Sequence, residues 1–395
     1  MTIIDLLENN SIKFPHDVSL VEISENRDDK QKNESFIDLK NRKEITWKEF
    51  NEISNKIANY LISLGIKKGD KIAFLLKNCV EWLPLYFGIL KCGAICVPLN
   101  FRYNSEEIKY CLDFVDCHVI IFGFDFIDRI EPIAKSNDRI KFIYGGVSGP
   151  SFSINLDDCI KNQKSENINL NIDPNDYAAI YFSSGTTGFP KAILHTHSAL
   201  YNSCLTEQNH HKQKKDDVFL CIPPLYHAGA KMHWFGSLLV GGKTVLLRGV
   251  KPELIIETIS KERCTIVWLL VTWVVDILTA IETKKIDINN FNLEQWWLMH
   301  IGAQPVPKSL ILDWLKIFPH HKYDTNYGLT ESLGPGCVHL GLENIHKVGA
   351  IGVLEVAVQV NPFVQVHYLG NKAVGVGVAS RLWNELLLPR YSVAP

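Results

Sequence analysis

The residues best suited to chemistry lie in one stretch, Tyr181 to Lys191, which reads YFSSGTTGFPK. Two glycines, four hydroxyl residues, a proline and a lysine follow an apolar run, Tyr177 to Ile180, that predicts a short buried strand. Glycines let a backbone approach a phosphate closely, hydroxyl and N–H groups donate hydrogen bonds to it, and a lysine supplies positive charge. The stretch therefore predicts a polyphosphate-binding loop, although a polar turn between two elements has a similar composition. Its residue order does not fit the Walker A pattern, which excludes an ordinary P-loop nucleoside triphosphatase.

Three further groups of residues each follow a predicted strand. They are Pro223 to Gly229 (PPLYHAG), Gly302 to Pro305 (GAQP) and Asp324 to Glu331 (DTNYGLTE). Taken one at a time, the first is a helix N-terminus, the second a turn from strand to helix, and the third a polar loop. Their order along the chain is more informative than any one of them.

Together with the glycine-rich loop, these groups resemble the motifs of the adenylate-forming superfamily, which includes acyl-CoA synthetases, luciferases and peptide-synthetase adenylation domains. The resemblance implies ATP-dependent activation of a carboxylic acid to an acyl-adenylate with release of pyrophosphate, followed by transfer of the acyl group to CoA. It implies ATP and Mg²⁺ as cofactors, CoA as co-substrate and a small carboxylic acid as substrate. One departure is Ala192, where the family usually has glycine.

The resemblance also implies roles for individual residues. The implied catalytic residues are Lys191, His227, Thr330 and Glu331, with Glu331 and Thr187 as ligands of Mg²⁺. Tyr327 is expected to stack on adenine. The residues expected to contact the nucleotide are Ser183, Ser184, Gly185, Thr186, Thr187, Gly188, Lys191, Gly302, Ala303, Gln304, Asp324, Asn326, Tyr327, Gly328 and Thr330. The substrate pocket is expected to use His227, Trp234, Gly302 and Gly328, with Phe235, Trp268 and Trp273 as further wall candidates.

The composition restricts the class of protein. The chain has 395 residues, of which 46% are hydrophobic and 21% charged, and its formal net charge is −2. These values are typical of a globular protein and give no basic field for nucleic acid. The longest apolar run, Ile266 to Ile281, is broken by Thr272 and Asp276, and the N-terminus lacks the basic region of a signal peptide. With ten scattered cysteines and no C-x-x-C pair, we expect a cytoplasmic protein without a transmembrane segment, and a homodimer stays open.

Helix and strand signals alternate from Thr46 onward. Short apolar strands such as Lys71 to Leu76 and Val119 to Phe122, separated by helical patterns such as Phe50 to Leu64, predict mostly parallel sheets covered by helices. We predict an α/β fold of two stacked subdomains, residues 1–175 and 176–350, followed by a divergent β-rich remnant at 351–395. A ligand cleft is expected at the carboxyl ends of the strands.

The resemblance fades after Gly352. The family's Thr-Gly-Asp segment, hinge and C-terminal lid domain find no match in the sequence. Since the lid normally brings a catalytic lysine, two hypotheses stay open. In the first, the chain is the large domain of an acyl-CoA synthetase, impaired alone or served by a separate lid.

Under the first hypothesis, the sequence looks most like bacterial medium- or long-chain fatty-acyl-CoA synthetases, and its apolar pocket segments favour a fatty or aromatic acid. In the second hypothesis, the chain is a non-catalytic relative that binds ATP and an acyl group. Luciferases and peptide-synthetase adenylation domains share the motifs, but nothing in this sequence indicates a carrier domain or oxygen chemistry.

Overall fold

The computed structural model describes residues 1–24, 42–146, 148–183 and 190–339, together with three two-residue strands farther on. At Met232 and at residues 335–339, only the backbone is described. The α-helices are α1 Ile3–Lys13, α2 Trp47–Ser63, α3 Trp82–Lys91, α4 Ser105–Phe114, α5 Ile127–Ser136, α6 Leu156–Ile160, α7 His197–His211, α8 Ala228–Val240, α9 Pro252–Glu262, α10 Val271–Glu282 and α11 Lys308–Ile317. The strands are β1 Val18–Ser24, β2 Arg42–Thr46, β3 Lys71–Leu75, β4 Ile95–Pro98, β5 Val119–Phe122, β6 Lys141–Tyr144, β7 Ile154–Asn155, β8 Tyr177–Ser183, β9 Lys191–Thr196, β10 Val218–Cys221, β11 Lys243–Arg248, β12 Ile266–Leu270, β13 Leu298–Gly302, β14 Lys322–Leu329, β15 Gly334–His339, β16 Val353–Leu354, β17 Val364–Gln365 and β18 Gly377–Val378.

These strands form two large sheets and one small pair. The seven-stranded sheet has the order β7-β6-β5-β3-β4-β8-β9, and the nine-stranded sheet has the order β16-β15-β14-β13-β12-β10-β11-β1-β2. Neighbours pair in parallel except for β8 with β9, β1 with β2, β14 with β15, and β15 with β16. The predicted α/β fold with mostly parallel, helix-covered sheets is confirmed. Strands β17 and β18 pair with each other, and most of the predicted 351–395 remnant lies outside the described residues.

The sheets do not follow the predicted division at residue 175. Strands β1 and β2 belong to the nine-stranded sheet, because β1 runs parallel to β11. Strands β8 and β9 complete the seven-stranded sheet, where Ala179 lies opposite Cys96 of β4. A strand's apolar pattern shows that it is buried but carries no information on which sheet receives it, so the sequence could not assign β1, β2, β8 and β9 to their sheets.

One hydrophobic cluster joins the facing sides of the two sheets. Alternate residues of each strand point to opposite faces, so that Ile72 belongs to this shared cluster while Ala73 packs under the outer helices. Helices α2, α3 and α8 supply its aromatic centre, in which the ring of Trp234 lies 6.2 Å from Phe50 and 5.8 Å from Phe87. The shared core holds the sheets in a fixed relation, which the site between them requires.

Hydrogen bonds also connect the sheets near their carboxyl ends. The amide of Asn78, after β3, donates to the carbonyl of Pro223 at 2.9 Å and accepts from the N–H of Leu225 at 2.9 Å. Glu22, in β1, accepts from the N–H of Val80 at 3.0 Å. These bonds place the loop after β10 against the seven-stranded sheet. Over the described ranges, no helix is both long enough and apolar enough to cross a membrane.

Candidate functional site

A cleft of about 760 Å³ opens at the carboxyl ends of β10, β12, β13 and β14. It is at such strand ends that open α/β sheets bind ligands. The three motifs predicted from the sequence meet there, and Arg102 reaches it from the seven-stranded sheet. The lining residues are Arg102, Pro223, Pro224, Tyr226, His227, Ala228, Gly229, His233, Trp268, Leu270, Ala303, Gln304, Pro305, Val306, Thr325, Asn326, Tyr327, Gly328, Leu329, Thr330 and Gly334.

The first motif positions His227 at the mouth of the cleft. His227 is the N-cap residue of α8, with extended backbone angles, and its side chain is exposed. The dense surroundings of the ring lower the pKa of His227 to about 4, and the positive charges of Lys231 and Arg102 act in the same direction. At neutral pH the ring is therefore uncharged. It can orient a carboxylate by a hydrogen bond but not by charge.

The second motif is a strained turn between β13 and α11. Ala303 has a φ of 64°, in the left-handed region that residues with a Cβ avoid. Strain of this kind persists where the surrounding structure imposes it, and it concentrates at ligand sites. A methyl group on the preceding Gly302 would meet only Nε2 of His300 at 3.5 Å and Nε1 of Trp268 at 3.9 Å, which are ordinary contacts. Protein packing therefore does not require glycine at 302.

The third motif is a strand for most of its length. The polar loop that residues 324–331 indicate in isolation is wrong, since β14 runs to Leu329 and pairs with β15 through a bulge at Tyr327 and Gly328. The bulge leaves Tyr327 43% exposed at the cleft. Thr330 and Glu331 then form a turn. The ring Nε2–H of His195, in β9, donates to the carbonyl of Thr330 at 2.9 Å and connects this turn to the β8–β9 hairpin.

The phosphate-loop residues Ser184, Gly185, Thr186, Thr187 and Gly188 lie outside the described residues. The two ends of the loop are described. Ser183 and Lys191 lie opposite each other where the β8–β9 hairpin begins, and Lys191 is exposed. Lys191 is not one of the residues lining the cleft. The hairpin and the turn at Thr330 are nevertheless joined through His195.

Several predicted site residues do not line the cleft, and these include Gly302, Phe235 and Trp273 as well as Trp234 and Asp324. Trp234, predicted to line the substrate pocket, is fully buried among Phe50 and Phe87, because it lies on the face of α8 that meets the shared core. Trp268, in the middle of β12, lines the cleft instead. Asp324, predicted to contact the nucleotide, is 3% exposed and points away from the cleft toward three histidines.

Asp324 belongs to a buried group that we call the histidine–carboxylate cluster. All of its members are at most 3% exposed. They are Glu207, His210 and His211 of α7, His233 of α8, His300 of β13 and Asp324 of β14. Parallel register aligns Trp268 with His300, and His300 with Asp324, in one row across β12, β13 and β14.

The charges in this cluster depend on one another. Burial by itself would raise the pKa values of Glu207 and Asp324, but the neighbouring histidines, His211 above all, hold both well below their usual range. Burial opposes the charged form of His211, yet the two carboxylates more than offset it and raise its pKa to about 10. Burial lowers the pKa of His300 to about 4, and His233 adds to the effect. The cluster thus combines ionised carboxylates with mostly neutral rings.

Sequence reasoning missed His233, His300 and Arg102 as residues at or beside the cleft. His233 lies six residues after His227, and His300 lies two residues before Gly302, which begins the second motif. Both spacings were visible, but a lone histidine in an apolar element is usually a core residue. Arg102 follows β4 in a sheet that carries none of the three strand-end motifs. Its approach to the cleft depends on how the two sheets pack.

Comparison with known proteins gives the family. The model of the AMP-binding enzyme family matches residues 24–368. The chain is similar to the long-chain-fatty-acid–CoA ligase FadD13 of Mycobacterium tuberculosis, 26% identical over 310 residues that cover 78% of this chain and 59% of the relative. It is also similar to 4-coumarate–CoA ligase 2 of Solanum tuberosum, 28% identical over 305 residues that cover 76% of this chain and 54% of the relative. The chain therefore spans a little over half the length of these relatives.

Solved structures share the fold. The N-terminal domain of FACL13 from Mycobacterium tuberculosis aligns with a TM-score of 0.77 and 22% identity, over 90% of this chain and 82% of that one. The anthranilate CoA ligase AuaEII, solved with anthranoyl-AMP, aligns with a TM-score of 0.79 and 21% identity, over 90% of this chain and 64% of that one. At these identities the likeness concerns the fold. The family model, however, fits most of the residues, and the chain belongs to the AMP-binding enzyme family.

Proposed function

We propose that this chain activates a carboxylic acid with ATP, forms an acyl-adenylate and pyrophosphate, and transfers the acyl group to CoA. The observation that carries the proposal is the meeting of three separate motifs, from residues 223–229, 302–305 and 325–330, at one cleft between two sheets. Residues so far apart in the chain have no packing reason to bring a histidine, a strained turn and an exposed tyrosine to one place.

Each residue of the site has a proposed role that follows from its position. Tyr327, exposed on the bulged strand, offers a ring face for adenine. Lys191 and Thr330 would donate to phosphate oxygens, and the His195 hydrogen bond holds their two segments together. The neutral ring of His227 would orient the reacting carboxylate from the opposite wall. Positioning of this kind provides much of the rate in reactions at phosphorus.

Glu331 is the carboxylate that fits an ATP-bound Mg²⁺. Its side chain is half-buried in the turn beside Thr330, which itself lines the cleft. Mg²⁺ needs few protein ligands when phosphates and water complete its shell, so one carboxylate is enough. Bound Mg²⁺ would neutralise charge on the phosphate oxygens. Thr187, the second predicted ligand, lies outside the described residues.

The cleft favours a fatty or aromatic acid. Trp268, Leu270 and Val306 line it, and no described lining residue carries a carboxylate that would pair with the amino group of an amino acid. The names of the relatives point to the same range, since they include a long-chain-fatty-acid, a 4-coumarate and an anthranilate CoA ligase. A cytoplasmic location and a homodimer stay predictions from the sequence.

The proposal is tested by acid-dependent exchange of labelled pyrophosphate into ATP, followed by assay of acyl-CoA. Mg²⁺ and CoA are supplied with a long-chain fatty acid, 4-coumarate or anthranilate in turn. We expect exchange with at least one acid, and its loss in Lys191→Ala. The matched control is Lys322→Ala, which removes an exposed lysine at the amino end of β14, the end opposite the cleft.

Each result separates the two hypotheses left by the sequence. Exchange without acyl-CoA would show that the first half-reaction alone is supported by this chain. Saturable ATP binding without exchange would favour a non-catalytic relative that binds nucleotide. Absence of both would contradict the proposed function.

A further inference from the structure

The histidine–carboxylate cluster contains more metal-ligand chemistry than packing explains. Donor atoms of His211, His233 and His300 all lie within 4.8 Å of one another, and so do those of Glu207, His210 and His211. Imidazole nitrogens and carboxylate oxygens are the usual ligands of zinc and related divalent transition metals. None of the roles proposed for the cleft uses these residues.

Several polar atoms of the cluster have no hydrogen-bond partner among the described residues. They include Nε2 of His233 and Nε2 of His300, and each ring is fully buried. Buried nitrogens without a partner are costly, since nearly all such atoms in folded proteins are satisfied. The same rings use their other nitrogen: Nδ1 of His233 bonds Glu207, and Nδ1 of His300 bonds Asp324 at 2.5 Å.

This division of the two ring nitrogens is the one that metal-binding histidines show. A ligating histidine almost always directs its second nitrogen to a carboxylate or carbonyl, which fixes the ring and leaves the first nitrogen for the metal. His211 differs, because its Nδ1 lies 2.8 Å from Oε1 of Glu207 and its Nε2 lies 3.4 Å from Oδ2 of Asp324. Three histidines are thus oriented by two carboxylates.

A tetrahedral ion sets the separation that its ligand atoms must reach. Neighbouring ligand atoms around zinc are about 3.3 Å apart when each bond is about 2.0 Å long. One ligand atom from each of His211, His233 and His300 lies within 4.8 Å of the others, so the rings must rotate to bring three nitrogens around one ion. Nε2 of His211 lies 3.4 Å from Oδ2 of Asp324 and would turn from this oxygen to the ion.

The charge of the cluster points the same way. Glu207 and Asp324 are buried, and within the described residues the groups at ion-pair distance from them are histidines, so these two carboxylates need positive charge close by. Either protons on two of the rings or one divalent ion would supply it. Since His233 also lines the cleft, an ion held here would lie next to it.

We propose that His211, His233 and His300 bind one divalent transition-metal ion of the zinc type beneath the cleft, with Glu207 and Asp324 orienting the rings. The site is separate from the magnesium position proposed at Glu331. This proposal does not depend on whether the chain is a ligase.

The test uses the full chain, purified without a histidine tag and stripped with a chelator. Zn²⁺ is titrated against a chromophoric chelator in excess Mg²⁺, and Co²⁺ is added to a second sample to record its visible ligand-field spectrum. We expect one Zn²⁺ per chain and the intense visible bands of four-coordinate Co²⁺, which Zn²⁺ then bleaches. Absence of both from the unaltered chain would overturn the proposal and assign the positive charge to protons, independently of any variant.

Variants locate the ion. His300→Gln removes a ligand and should weaken Zn²⁺ binding on the order of 100-fold or more, and Asp324→Asn should weaken it about 10- to 100-fold through the ring it orients. The matched controls are His197→Gln, a buried histidine of the same helix as His211 but outside the cluster, and His320→Gln, an exposed one. Equal affinity in His300→Gln and the controls would place any bound zinc elsewhere and contradict the proposed site.

Discussion

The cleft and the histidine–carboxylate cluster are adjacent, yet their residues are held in opposite ways. In the cleft, His227 and Tyr327 are exposed, and backbone geometry sets their positions through a helix N-cap and a strand bulge. In the cluster, side chains set one another's positions, as His300 and Asp324 do across two strands. His233 and Trp268 touch both regions. The difference teaches that substitutions in the cleft should change chemistry, whereas those in the cluster should first change stability.

Asp324→Asn should give the largest effect on stability. Removing one partner of a buried ionic network leaves the others uncompensated, which costs about 3–5 kcal/mol in the free energy of unfolding. Urea denaturation of metal-free protein measures it. The control Asp313→Asn removes an exposed carboxylate of α11 that pairs only with Lys316 in the described contacts, and should cost little. If both variants unfold alike, the cluster does not differ energetically from the surface.

Glu331→Gln should lower activity strongly and change stability little, the converse of Asp324→Asn. The loss of one charge that acts on the reacting phosphates should lower kcat/KM on the order of 100-fold and weaken the dependence on Mg²⁺. Stability should stay within about 0.5 kcal/mol of the unaltered chain, since the side chain is only half-buried. Steady-state kinetics and urea denaturation are compared with Glu294→Gln, an exposed control. A large loss of stability with unchanged kinetics would place Glu331 with the cluster rather than the cleft.

His195, outside the cluster, and His211, inside it, should contribute to stability with opposite dependences on pH. Burial lowers the pKa of His195 to about 4, so the unfolded chain binds a proton below pH 6.5 that the folded chain does not. Stability from His195 is therefore present above pH 6.5 and declines toward pH 4, by up to about 1.4 kcal/mol per pH unit. His211, with its pKa raised to about 10, contributes stability below pH 6.5 that is lost as the pH rises toward 10.

Denaturation of metal-free protein across this range measures both slopes. His195→Gln, which keeps a donor for the carbonyl of Thr330, should flatten the acid side, while His320→Gln should not. An unchanged acid slope in His195→Gln would contradict the assignment.

Gly302→Ala should have the smallest effect on stability. The added methyl meets only ordinary contacts, so we expect a change below about 1 kcal/mol but a clear rise in the KM for ATP or the acid. Gly88→Ala, in the interior of α3, is the opposite case. Its methyl would lie 2.6 Å from a side-chain carbon of Ile57, and overpacking of this kind costs about 1–3 kcal/mol. Unchanged KM values in Gly302→Ala would mean that no ligand passes over this turn.

The sequence by itself determined the local features of this protein. Each motif is a run of neighbouring residues at a strand end, so glycines, hydroxyls and a lysine in YFSSGTTGFPK, or the order of PPLYHAG, GAQP and DTNYGLTE, could be interpreted without coordinates. The alternation of helices and apolar strands likewise predicted the α/β fold, because periodicity follows from burial within one element.

Only the tertiary structure decided which sheet received β1, β8 and β9, and which side chains became neighbours. Trp234 packs into the shared core between the two sheets. The register of β13 against β14 places Asp324 next to His300 and away from the cleft. The last turn of α7 and one face of α8 then closed the cluster. Strand register and helix packing are relations between distant segments, and no local pattern in the sequence encodes them.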